Sequence, residues 1–170
     1  MKLVIAILAI FGSSSLASSQ AMIQLVEAFA FETTPGMSNG AAYITINNTG
    51  QAEAKLVGVS SGLAEHTQIH THEQDGDIKR MVAVDLPVFL KPGEQLAMRP
   101  GGIHIMFLGI KRPMEVGDQI TVVIQFEGKN LEVDVDVFGL QMFEMLTGHS
   151  PHNHNADEDH SDHEGSHHNH

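Results

Sequence analysis

The chain has 170 residues and 42% hydrophobic content, enough for one ordinary domain with a packed core. A formal charge of −12 argues against nucleic acid and anionic membrane surfaces as partners, because both require a basic protein face. The absence of Cys excludes disulfides, thiolate catalysis, Cys-based zinc or iron–sulfur sites, and a blue-copper centre.

In chain order, Met1-Lys2 precedes an almost unbroken apolar run over residues 3–11, and residues 12–21 are small and polar. This pattern predicts a secretory signal peptide over residues 1–21, cleaved after Ala17 or at one of the small residues up to Ala21. The run is too short to remain as a membrane span, and no lipobox Cys offers a lipid anchor. The expected location is periplasmic, with no membrane insertion after cleavage.

Residues 22–138 alternate short apolar runs with turns. Strands are expected at 23–31, 41–47, 54–60, 67–73, 78–84, 94–99, 103–109, 119–126 and 131–137. Between them lie turn chemistries such as Thr34-Pro35-Gly36, Asp75-Gly76, Lys91-Pro92-Gly93 and Pro100-Gly101-Gly102. Short strands at this spacing predict an all-β Greek-key β-sandwich or barrel. Residues 131–137 alternate strictly, as a strand with one wet face does. Residues 139–148 read as a short connecting segment with a turn of helix. The last 22 residues, 149–170, hold eight His among acidic and small polar residues. They have too little apolar surface to fold, so a disordered tail is expected.

Twelve His and nine Met are the residues with chemistry to explain. Strand side chains alternate, so His66, Gln68, His70 and His72 share one face, and His104 and Met106 share another. Met81 approaches His70 if the strands flanking Asp75-Gly76 form a hairpin. Thioether sulfur is soft and uncharged, so a His/Met set suits Cu(I) and suits Mg, Ca or Mn poorly. A single Met on a strand is usually core, and a single His, as His66 is read, is usually a surface residue. The weight therefore rests on the constellation.

That constellation resembles a known family. His70, ten residues, Met81, 22 residues, then His104-Ile105-Met106 is similar to the motif of the PCuAC (DUF461) periplasmic copper chaperones. The second gap is one residue longer than the usual pattern, which the 86–93 turn region would absorb. The stretches Gly40-Ala-Ala-Tyr-Ile-Thr-Ile46, Lys91-Pro-Gly93 and Arg99-Pro-Gly-Gly-Ile-His-Ile-Met106 extend the likeness over about residues 22–138. The family often has Met two residues after the first His, where this chain has His72. The resemblance implies a cupredoxin-like β-barrel that binds one Cu(I) through His70, Met81, His104 and Met106. His72 is either a further ligand, a spare donor or merely exposed. The resemblance also implies delivery of copper to the CuA site of cytochrome oxidase, through its subunit or an assembly factor, or to another cuproprotein.

The tail offers a second, looser site. His149, His152, His154, His160, His163, His167, His168 and His170 each present an imidazole suited to Cu(II), Zn or Ni. A general copper or zinc buffer working mainly through this tail is the alternative function. Nothing in the sequence argues for an enzyme: Pro100-Gly-Gly lacks the Lys and helix of a phosphate loop, and Asp134 and Asp136 sit on a wet strand face. Either a monomer or a metal-bridged dimer is compatible with the chain.

Overall fold

The computed structural model describes residues 20–76 and 78–147; residues 1–19 of the expected 1–21 signal peptide and the 149–170 tail lie outside the described residues. The elements in chain order are β1 (Ile23–Phe31), β2 (Asn39–Asn48), β3 (Ala54–Ser61), β4 (Ala64–Asp75), β5 (Ile78–Ala83), β6 (Val88–Leu90), β7 (Gln95–Ala97), β8 (His104–Ile110), β9 (Gln119–Phe126), β10 (Lys129–Phe138) and α1 (Leu140–Thr147). The all-β expectation holds.

Nine strands lie in the order β5-β4-β8-β2-β1-β10-β9-β3-β6, with β7 paired to β2 beside this path. Among the described residues the sheet does not close, and β5 and β6 are its ends. β1 and β10 run parallel, and every other pair is antiparallel. β3 packs against β4 although the two are far apart in that order, so the sheet wraps around one core.

Period-2 alternation decides which side chains enter that core. Val133, Val135 and Val137 on β10 are buried, while the intervening Glu132, Asp134 and Asp136 are exposed. On β8 the odd residues Ile105 and Phe107 are fully buried, and on β2 the even residues Ala42, Ile44 and Ile46 are. Each fully buried side chain of this size stabilises the fold by about 1.5–3 kcal/mol.

Two elements differ from the expected ones. The 86–93 segment, expected as a turn region, contains β6, which pairs Val88, Phe89 and Leu90 with β3. A three-residue strand between two prolines shows no period of its own; it is held from outside. The buried Asn48 amide donates to Leu90 O (2.9 Å) and Ala52 O (2.8 Å), so the side chain supplies partners the backbone lacks. The expected strand 94–99 contracts to β7, although Met98 N still donates to Ile44 O at 3.0 Å. The connecting segment after Gly139 carries α1, two turns of helix. At the other end, Gln51 N donates to Gln20 O (3.0 Å) and Lys129 Nζ to Ala21 O (2.8 Å), so residues 20 and 21 dock on the domain.

Candidate metal site on the outer face of the sheet

The even residues from His66 to His72 on β4 and from His104 to Leu108 on β8 lie on the face opposite the one that carries Ile69, Ile105 and Phe107 into the core. The register places His70 opposite His104 and Gln68 opposite Met106. Across the β4–β5 hairpin, His72 lies opposite Met81 and His70 opposite Ala83. Met81 is thus the direct cross-strand neighbour of His72 and a diagonal neighbour of His70, still within reach of a long side chain. Five donors distant in sequence, His70, His72, Met81, His104 and Met106, meet on one patch of three adjacent strands. His66 shares the face but lies opposite Leu108 and is exposed. Four residues along β4 place it about 13 Å from His70.

Loops turn this patch into a cavity of about 470 Å³, walled by His72, Met81, His104 and Met106 with Phe31 and Tyr43 among its apolar lining. Met37, Gly101 and Leu140 of α1 also border it, and His70 does not. Tyr43 stacks with Phe29 and Phe31 at ring-centroid distances of 5.2 and 5.7 Å and lies 6.4 Å from His104. Burial in this apolar bed pushes the Tyr43 hydroxyl pKa up.

The two inner imidazoles are positioned by different means. His104 is 4% exposed, and its Nδ1 lies 2.9 Å from Gly102 O. A carbonyl only accepts, so Nδ1 carries the proton and Nε2 keeps its lone pair. The loop that presents this carbonyl turns at Gly101, whose φ of 79° favours glycine. It is closed by Arg99 N donating to Ile103 O at 2.7 Å. His70 is half-buried, with Nε2 2.9 Å from Gln68 Oε1, while its buried Nδ1 has no partner. An unpartnered buried polar atom costs about 1–3 kcal/mol. Burial first, and the neighbouring His104 second, lower the His70 pKa.

Ring centroids lie 6.3 Å apart for His70–His104 and 5.5 Å for His72–His104. Two imidazoles on one ion have centroids roughly 5–6.5 Å apart, given a metal–nitrogen bond of about 2 Å plus the ring radius. Both pairs fall in that range. Among the described residues there is no group of three or more His, Asp, Glu or Cys that could hold a metal ion. The tail histidines, His149 to His170, lie outside the described residues. Sequence reasoning missed the contributions of Phe31, Leu140 and the Gly102 carbonyl; none of them carries a motif, and each arrives from a loop or from an element remote in sequence.

Residues 23–137 match the family described as putative lipoprotein LpqE-like. The chain belongs to the LpqE-like family. A putative lipoprotein of Leifsonia xyli subsp. xyli, Lxx21020, is 32% identical to this LpqE-like chain over 116 residues, 68% of the chain and 69% of the relative. An uncharacterized protein of Rickettsia prowazekii, RP573, is 27% identical over 124 residues, 71% of the chain and 68% of the relative. Among solved structures, the copper-bound PCuAC domain from PmoF2 superposes with a TM-score of 0.56 at 20% identity, covering 69% of this chain and 92% of that one. The solution structure of CuI-DR1885 from Deinococcus radiodurans gives a TM-score of 0.51 at 28% identity, covering 71% and 82%. The fold is therefore the all-β, cupredoxin-like sandwich of PCuAC domains, and the resemblance read from the sequence is borne out.

Proposed function

We propose that this protein is an exported copper carrier that holds one Cu(I) through His70, Met81, His104 and Met106 and releases it to a recipient cuproprotein, such as the CuA subunit of cytochrome oxidase or its assembly factor. The observation that carries this reading is the convergence of two imidazoles and two thioethers on β4, β5 and β8. The unpartnered Nδ1 of His70 and the His104 tautomer that leaves Nε2 able to bind a metal support this reading. Copper-bound PCuAC domains of the same fold support it. Soft neutral donors favour the monovalent ion and hold it less permanently than thiolates, which suits a carrier. The work is binding and ligand exchange without bond-making chemistry, so it is not that of an enzyme.

The family's name is that of an exported class, which supports a periplasmic location. Cleavage after Ala17 would preserve the contacts made by Gln20 and Ala21; mass spectrometry of the secreted protein reads the new N-terminus directly.

The deciding experiment is Cu(I) competition against a chromophoric chelator for the wild type and for Met81→Ala, His104→Ala and Met106→Ala. Each variant should lose affinity; three unchanged constants would end the assignment. The eight tail histidines support a second, looser Cu(II) site and, as the rival reading, a general copper or zinc buffer. Deletion of residues 149–170 separates the two. A carrier keeps its tight Cu(I) site, and a buffer loses most of its capacity.

A further inference from the structure

The donors of the outer-face patch are not equally placed. Met81 is 47% exposed and His72 is exposed, whereas His104 is 4% exposed and Met106 and His70 are half-buried. The exposed pair sits on β5 and the adjoining part of β4, at an end of the strand path. His104 is within reach of both β4 imidazoles, 5.5 Å from His72 and 6.3 Å from His70 by ring centroid. On β4, His72 and His70 are one side-chain repeat apart, about 6.6 Å.

Resting on the carrier reading above, we propose that His72 and Met81 form an outer transit station, through which Cu(I) enters and leaves while His104 keeps hold of it. In the outer position the ion is bound by His72, Met81 and His104. In the inner position His70 and Met106 bind it with His104, and Met81 stays in reach of both. Inward passage exchanges the neutral imidazole of His72 for that of His70 and adds the Met106 thioether, while His104 and Met81 are kept. The bond to the arriving nitrogen forms as the bond to the leaving one breaks, with no electron transferred. His70 is prepared to receive the ion, because its Nδ1 is buried and has no partner to give up. His72 borders the cavity and His70 does not, so an ion entering from solvent meets His72 first. A recipient then needs to displace only the exposed donors to begin removal, which places control of the transfer rate on residue 72 and control of affinity on residue 70.

The test uses the full-length protein loaded with one equivalent of Cu(I) and bathocuproine disulfonate as acceptor. Equilibrium competition and stopped-flow transfer are measured for the wild type, His72→Ala, His72→Met, His70→Ala and His104→Ala. His72→Ala should keep its affinity within about threefold and transfer copper at least about tenfold more slowly. His72→Met, which restores a soft donor, should recover most of the rate, and His70→Ala should lose affinity by about tenfold or more. A fall in affinity for His72→Ala equal to that of His104→Ala would overturn the proposal by making His72 a resident ligand. An unchanged transfer rate would overturn it by making His72 a bystander. Wild-type affinity in His104→Ala would instead count against the carrier site itself, so the two failures are distinguishable.

Discussion

The β9–β10 hairpin and the β4–β5 hairpin belong to one sheet and follow one alternating rule, yet their two faces do different work. On β10 the inward residues Val133, Val135 and Val137 are sealed in the core, and the outward Glu132, Asp134 and Asp136 are exposed, with Gln119 and Thr121 donating to Asp136 and Asp134. On β4 the inward Ile69 is equally buried, but the outward His72 borders a cavity that Gly101 and Leu140, at the start of α1, help to wall. The lesson is that an outer sheet face becomes a site when something covers it. Cover raises the cost of each unpaired donor, so a ligand that satisfies them gains accordingly.

The sharpest way to break the comparison is a pair of truncations. Met106→Ala should weaken Cu(I) binding by about 100-fold, about 2.7 kcal/mol, with little change in Tm. Val135→Ala should lower unfolding stability by about 2 kcal/mol and leave the Cu(I) constant unchanged. Chemical denaturation and chelator competition on both variants measure the cross. Equal effects on both readouts from either variant would mean that site and core are not separable.

A smaller effect is expected from Gln68→Ala, which removes the amide that holds His70 Nε2 while sparing every proposed ligand. Loss of an orienting partner of this kind costs about tenfold in metal affinity. Rescue by Gln68→Glu, which restores an acceptor, would distinguish orientation from bulk.

The smallest effect is a pH slope in the metal-free protein. Burial and His104 lower the His70 pKa below its ordinary value of 6.5, so between the folded and unfolded values the unfolded chain binds more protons. Stability then rises with pH through that interval and is lost as pH falls below about 6.5. Urea denaturation of wild type and His70→Gln between pH 5 and 7.5 should show the variant flatter over this interval; parallel slopes would remove His70 as the cause.

Much of this was legible before any coordinates. Strands β1 and β9 fall at the expected residues, because apolar-rich runs of this length that end in turn chemistry leave little freedom. The common face of His70 and His72, and that of His104 and Met106, followed from period 2 alone. β6 was not legible, since its pairing depends on β3 and on the Asn48 amide, both remote in sequence. Nor was the partner of Met81. The sequence placed it near His70, but the hairpin register sets it opposite His72, and a one-residue slip at that turn would have moved Met81 to the other face.

By itself the amino-acid order determined an all-β chain, the identity of its soft donors and the faces of the strands on which they stand, because alternation is a local property of the extended backbone. Only the tertiary structure decided that β4 and β8 are neighbours, that the Gly102 carbonyl holds His104, and that His72 rather than His70 borders the cavity. Those outcomes depend on register and on loop cover, which arise from contacts between residues far apart in the chain and leave no period in the sequence to read.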